Sequence, residues 1–263
     1  MSGEQRPAAE ATGSRGRGRG SGPEPFDRDV EANGGYRYTT NAGLSSRIAN
    51  ERQTEATLAL VELGGRSVID VGCGDGTYTA ELAARAAPRR ILGIDPAASA
   101  IAAATNRYPQ LRFEIGDEHW LESTDERFDV AIVRGVLHHA TDPQRLVQAI
   151  ARVARQVLVI EANGLNPVLK AIERLSRYHR DHDERSFSAA RIDGWLRSAS
   201  LTIERRLYVG LVPLFVPDPA ARILKTIEPV MEQTPGVRRI ALGTYCVRAN
   251  AAVERPAEPQ EAS

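Results

Sequence analysis

The sequence predicts an α/β protein: a mostly parallel seven-stranded sheet with helices on both faces and a small inserted cap. Three observations lead there. Short β-branched runs alternate with stretches of helical apolar spacing between residues 67 and 247, the first run ends in a cluster of glycines directly ahead of a helix, and no internal repeat offers another architecture. Parallel strands need crossover helices of right-handed sense, so repeated βα units imply a sheet covered on both sides. At 263 residues and 42% hydrophobic content the chain can bury one sizeable core plus a modest insertion, and is too short for two catalytic domains.

The elements follow in order. Residues 1–30 are rich in Gly, Ser, Pro, Arg and Glu and carry too few apolar side chains to offset ordering entropy, so a disordered tail is expected. Residues 251–263 repeat that composition, leaving 31–250 as the folded domain. The first strand is 67–71, followed by a helix over 77–87 with Tyr78, Leu82 and Ala86 on one face and a second strand over 90–94. Pro96 opens the next helix, where its missing N–H costs nothing, and strands follow at 111–115 and 128–133. Asp142-Pro143 reads as an N-cap with proline at the first helical position, and Leu146, Val147, Ile150, Val153 and Ala154 keep helical spacing after it. A fifth strand spans 156–161, Ser188 caps a helix carrying Ile192, Trp195, Leu196 and Ala199, and 201–208 returns to strand. Residues 239–247 close the sheet. Two stretches, about 163–185 and 210–236, fit this alternation poorly; both follow strands whose carboxyl ends should line a ligand crevice, which makes them candidate caps over a substrate.

Composition excludes several classes. Lys+Arg and Asp+Glu each total 34, so no global field favours nucleic acid or an anionic membrane. The run containing Arg15, Arg17 and Arg19 is short and followed by Glu24 and Asp27, which reads as a solvated tail. No apolar run approaches the roughly 20 residues of a membrane span, and the N-terminus lacks a secretory apolar region, so a cytoplasmic protein is expected. Cys73 and Cys246 lie far apart, with Cys73 between glycines, which suits reduced thiols. Only Lys170 and Lys225 are lysines; the arginine- and alanine-rich remainder points to a GC-rich bacterial genome.

The chemistry concentrates at Asp70, Gly72, Cys73, Gly74 and Gly76, a glycine turn between strand and helix where backbone N–H groups and the helix dipole meet a ligand. A dinucleotide fingerprint would need glycine at position 77, where Thr77 stands. An acid ahead of the loop suits a partner that carries an ammonium. Asp95, ending the second strand, is placed to accept both ribose hydroxyls, a geometry common to nicotinamide and S-adenosylmethionine sites.

Taken together, Asp70, the three glycines, Asp95 and the Gly116-Asp117 pair after the third strand resemble the class I S-adenosylmethionine-dependent methyltransferases over roughly residues 66–161. The string Leu137-His138-His139 followed by Asp142-Pro143 is similar to the small-molecule, quinone-biosynthesis branch. The resemblance implies a Rossmann-like fold and S-adenosylmethionine as cofactor. By that resemblance Gly72, Cys73, Gly74 and Gly76 pass beneath the cofactor, Asp70 orients its methionine end, and Asp95 with Pro96 holds the ribose. Asp117 accepts from the adenine amino group with Glu118 and Trp120 near the ring, Arg134 and the residues after it floor the transfer site, and the segment around Tyr38 closes over the cofactor.

His138 and His139 are candidate bases, since imidazole titrates near neutral pH and their loop lies at the active end of the sheet; either could instead be structural. The cluster at 178–184 holds metal-ligand types but reads as a solvated helix end, so no metal is expected; Tyr178, His179 and His182 are candidates to line the acceptor pocket. Trp195 reads as core, and Cys73 lacks a partnered base. The expected activity is methyl transfer to oxygen, nitrogen or carbon of a small-molecule acceptor, in keeping with bacterial secondary metabolism. Two alternatives stay open: a catalytically silent cofactor-binding partner, and an NAD-dependent reductase. Thr77 disfavours the latter, as does the missing Tyr-x-x-x-Lys pair, Asn166 and Ala221 standing four residues before the lysines. No Asn-Pro-Pro-aromatic stretch follows the fourth strand, which disfavours nucleic-acid methylation. Oligomeric state is open, a homodimer among the options.

Overall fold

The computed structural model describes residues 43–175, 186–214 and 216–251. Its strands are β1 (Ser67–Val71), β2 (Arg90–Asp95), β3 (Arg112–Ile115), β4 (Phe128–Arg134), β5 (Ala154–Ala162), β6 (Leu201–Val209) and β7 (Thr244–Ala251). They form one sheet in the order β3-β2-β1-β4-β5-β7-β6. All are parallel except β7, which runs antiparallel to both β5 and β6. The chain moves outward from β1 to β3 on one side and from β4 to β5 on the other, so the strand order reverses between β1 and β4. Ligands of open α/β sheets bind outside the carboxyl ends at such a switch point.

Helices described are α1 (Leu44–Leu60), α2 (Thr77–Ala86), α3 (Ala98–Arg107), α4 (Glu118–Ser123), α5 (Pro143–Val153), α6 (Pro167–Leu175), α7 (Ala189–Ser198), α8 (Asp218–Gln233) and α9 (Val237–Ala241). Alternate side chains of each central strand leave on opposite faces, and both faces are buried. Val68, Ile91, Val130, Ile132, Leu158 and Ile160 pack with Ala56 and Leu60 of α1 and Leu82 of α2. Ile69, Leu92, Ala131, Val133, Val157 and Val159 pack instead with Leu121 of α4, Val147 and Ile150 of α5, and Ile192, Trp195 and Leu196 of α7. Each fully buried Leu or Ile contributes about 1.5–3 kcal/mol, so the two layers are the main source of stability.

The anticipated caps are present. The Asp142 carboxylate accepts from the Arg145 N–H with Pro143 in the first turn, and Ser188 accepts from the Arg191 N–H. Two expectations need correction, and two helices add to the reading. Pro96 does not open a helix: α3 starts at Ala98 with Ala97 as N-cap, and Asp95 Oδ1 accepts the Ala97 N–H at 2.9 Å, so a carboxylate turn occupies the place assigned to the first helical turn. Residues 239–247 do not form one strand, because the chain is helical through Ala241 with Arg238, Arg239 and Ile240 exposed, and β7 begins only at Thr244.

The stretch 163–185, which fits the alternation poorly, starts with a helix whose signal repeats that of α5. Asn166 Oδ1 accepts from the Val168 and Leu169 N–H groups, with Pro167 in the first turn. Lastly, α1 has no counterpart in the sequence reading. It buries mostly small side chains (Ser45, Ser46, Ala49, Thr54, Ala56 and Thr57) and so lacks the apolar stripe by which a helix is recognised. It docks on α8 of the 210–236 insertion. Ser45 and Ser46 hydroxyls both donate to the Leu214 carbonyl, and the Arg52 guanidinium grips Glu232 at 2.6 and 2.8 Å.

Candidate functional site

At the carboxyl end of β1 the chain turns through Gly72, Gly74 and Gly76 with φ of +74°, +56° and +74°. These left-handed conformations cost L-residues about 1–2 kcal/mol each and are free for glycine. A Cβ on Gly72 would lie 2.3 Å from Val136 Cγ2, so the glycine loop is in van der Waals contact with the loop that follows β4. Asp95, at the end of β2, braces the same loop: its Oδ2 accepts the Gly74 N–H at 2.9 Å while Oδ1 holds Ala97. Asp75 is buried within the loop, accepting from the Thr77 N–H and hydroxyl and pairing with Arg107 at 3.4 Å. Cys73 is buried and free, and burial pushes its thiol well above the ordinary range, which removes it as a nucleophile.

Asp70 points to the α2 side, where the Thr79 hydroxyl donates to it at 2.6 Å. Burial raises its pKa from 3.8 to about 6, opposed by the Thr79 bond and the charge of Arg134 and assisted by Asp95. The Arg134 guanidinium, at the end of β4, lies 3.8 Å over the Tyr78 ring and donates to Gln53, Thr54 and Asn50 of α1. Burial lowers its pKa, and burial drives that of Tyr78 up to about 12. Arg134, expected above at the floor of the transfer site, is the clasp between α1, α2 and the sheet.

Beyond β4 lies Glu161, a residue the sequence reading passed over. It is buried at the end of β5, and its Oε1 accepts the N–H groups of Val136 and Leu137 at 2.8 and 2.7 Å. Its Oε2 lies 2.7 Å from His138 Nδ1. The His139 ring is 3.9 Å from that of His138, tilted by 48°. A charged residue ending an otherwise apolar strand, Val157 to Ile160, was the available signal. On the far side, Asp117 is the N-cap of α4, accepting the Trp120 N–H at 3.1 Å, and Glu118 pairs with Arg145 of α5 at 2.6 Å.

The structure therefore brings Asp70, the glycines, Asp95 and the His138 loop to one crevice. Tyr38, Tyr178, His179 and His182 lie outside the described residues, as do residues 1–30 and 252–263 and the cluster at 178–184, while Ala251, the first residue of the expected C-terminal tail, ends β7. Among the described residues there is no group of three or more His, Cys, Asp or Glu that could hold a metal ion, and no helix long and apolar enough to cross a membrane. Asp70 and Asp95 put two buried carboxylates beside the glycine loop, and Asp95 adds to the rise in the pKa of Asp70. A diphosphate would meet that charge at close range, whereas a cofactor bearing an ammonium and a sulfonium fits it.

A family model described as a methyltransferase domain matches residues 68–157. A probable S-adenosylmethionine-dependent methyltransferase of Mycolicibacterium smegmatis is 30% identical over 145 residues, 55% of each chain. A ubiquinone biosynthesis O-methyltransferase of Pseudomonas fluorescens is 28% identical over 176 residues, covering 59% of this chain and 72% of that one. Across its curated relatives the match spans about half of their length, from 28% to 72%. Among solved structures, the [4+2]-cyclase SpnF shares the fold with a TM-score of 0.64 and 22% identity, over 88% of this chain and 95% of that one. With a seven-stranded sheet reversing between β1 and β4 and a methyltransferase-domain match over residues 68–157, the chain is similar to S-adenosylmethionine-dependent methyltransferases.

Proposed function

We propose that this protein transfers the methyl group of S-adenosylmethionine to a small-molecule acceptor. The observation that carries the reading is the glycine loop between two buried carboxylates, with Asp95 hydrogen-bonded to Gly74 and Asp70 buried behind it. Fold alone does not carry it, since a [4+2]-cyclase has the same fold. In this reading Gly72, Cys73, Gly74 and Gly76 lie beneath the cofactor and Asp70 faces its ammonium. Asp95 and Pro96 take the ribose, and Asp117 with Glu118 takes the adenine. Bound there, the cofactor supplies an electrophilic methyl on a positively charged sulfur.

What the chain contributes is placement: holding two reactants in line is worth roughly 7–11 kcal/mol of barrier. The stretch 210–236, and 163–185 with Tyr178, His179 and His182, would form the acceptor side. A balanced charge favours a small acceptor over nucleic acid, and two free, buried cysteines accord with a reducing cytosol. Calorimetric titration with S-adenosylhomocysteine tests the reading, with micromolar or tighter binding expected. Heat from a nicotinamide dinucleotide and none from the sulfur nucleoside would overturn it.

A further inference from the structure

We propose that the outer edge of the sheet carries a site for a phosphate monoester, in which Arg238 and Arg239 of α9 and Arg206 and Tyr208 of β6 hold the phosphate group. This site does not depend on the methyl-transfer reading. β6 ends the sheet, and a cavity of about 390 Å³ opens beside its carboxyl-terminal half, within the size range of small-molecule sites. Arg52, Arg206, Arg238 and Arg239 line it against a single carboxylate, Glu232. That carboxylate is already engaged: Arg52 reaches it at 2.6 Å, and the Gly210 N–H donates to it at 3.3 Å. Asp193 likewise takes Arg206 at 2.8 Å and the Tyr245 hydroxyl at 2.6 Å. Arg238 and Arg239 are exposed and have no carboxylate within ion-pair distance among the described residues. Positive charge therefore exceeds negative around the cavity, which favours an anion there.

Arg206 and Tyr208 stand two residues apart on the edge strand and so leave it on the same face. Burial raises the Tyr208 pKa, with Arg239, Arg206 and Arg238 opposing the rise and Asp193 adding to it, so the phenol keeps its proton with three guanidiniums near it. Its hydroxyl makes no hydrogen bond among the described residues, which leaves an O–H to donate. The arginine platform is braced from within the fold. Asn163, buried after β5, donates through Nδ2 to the Arg239 and Leu242 carbonyl oxygens at 2.8 and 2.9 Å, and buried Asn166 donates to that of Ala241 at 2.9 Å. A backbone held in this way leaves only side-chain freedom to be lost on binding. A phosphate monoester carries close to two negative charges at neutral pH and three terminal oxygens, enough for both guanidiniums and the phenol, whereas a carboxylate has one charge and two oxygens. Two sources share this chemistry, a soluble ester and a lipid headgroup, and Ile240, 54% exposed beside Arg239, suits the apolar part of either.

Calorimetric titration of the full chain with inorganic phosphate at neutral pH and low salt should show one saturable site with a Kd of about a millimolar or tighter, and acetate should bind at least about tenfold more weakly. Arg238→Gln and Arg239→Gln should each weaken phosphate about tenfold or more, and Tyr208→Phe about threefold. Arg205→Gln, exposed on the same strand outside the cavity, should stay within about twofold of native. Equal urea midpoints across the variants separate lost contacts from lost fold, and the titration of the native chain decides the matter in any case. No saturable phosphate binding, native affinity in both arginine variants, or an equal loss in Arg205→Gln would overturn the site. Co-sedimentation with phosphatidylcholine vesicles containing phosphatidic acid separates the sources. Vesicle binding that inorganic phosphate displaces and Arg239→Gln weakens assigns a lipid headgroup, and phosphate binding without such displaceable vesicle binding assigns a soluble ester.

Discussion

Replacing Asp70 by asparagine in the ligand-free protein should change how stability depends on pH, and the size follows from the burial of one carboxylate. Folding raises its pKa from 3.8 to about 6, the reverse of what a surface ion pair does. The folded state therefore holds this proton more tightly than the unfolded chain. The group's contribution to stability is full below 3.8 and is lost as pH rises through about 6. A shift of about two units corresponds to about 3 kcal/mol in total, of which about 2.4 kcal/mol falls between about pH 4 and about pH 8. The amide of the variant has no such titration. Its other costs, an extra pair of N–H donors beside Thr79 and a lost counter-charge for Arg134, stay constant because the guanidinium remains protonated throughout. The double difference isolates the carboxylate: urea unfolding of both proteins at the two pH values should show Asp70→Asn gaining about 2.4 kcal/mol on native as pH rises. A difference constant within about 0.5 kcal/mol, or a change of opposite sign, would refute the reasoning.

Three further outcomes are expected. Gly72→Ala meets both a φ of +74° and the Val136 methyl at 2.3 Å, so it should cost about 2–4 kcal/mol in denaturant unfolding and weaken S-adenosylhomocysteine binding; unaltered stability would mean the two loops are not in contact. Asp95→Ala strips the acceptor from the Gly74 and Ala97 N–H groups, so about 2–4 kcal/mol of stability should go along with cofactor affinity; calorimetry showing native affinity would remove Asp95 from the site. Arg134→Met keeps much of the stem but cuts the contacts to Tyr78 and α1. Amide exchange over residues 44–60 should then quicken, and native protection there would show that α1 is held by other means.

The sheet was legible because its central strands are buried on both faces and read as near-continuous β-branched runs, and because glycines and capping residues punctuate them. The helix at 143–153 was legible for the same reason, with Asp142 and Pro143 at its start. What escaped was structure stabilised by distant partners. Helix α1 packs largely through serines, threonines and alanines, and its partners, the Leu214 carbonyl, Glu232 and Arg134, are remote in sequence. Glu161 escaped because a single acid at a strand end has no periodic signature; its meaning lies in Val136, Leu137 and His138, which only the sheet brings beside it. Asp70 and the glycines were readable as a loop for a ligand, but that Asp95 also ties the loop to the turn after β2 required the pairing of β1 with β2.

The docking of α1 on α8 bears on how the molecule is built during synthesis. The helix leaves the ribosome well before Leu214 and Glu232, which lie 168 and 180 residues downstream of their partners Ser46 and Arg52. Chains grow at roughly 5–20 residues per second, so this segment waits on the order of ten seconds or more for its seat. A strongly apolar stripe would spend that interval as a sticky surface, whereas one of serine, threonine and alanine stays hydrated and offers little to a neighbouring nascent chain. The weak pattern that hides the helix from a reader of the sequence also shields it from premature partners.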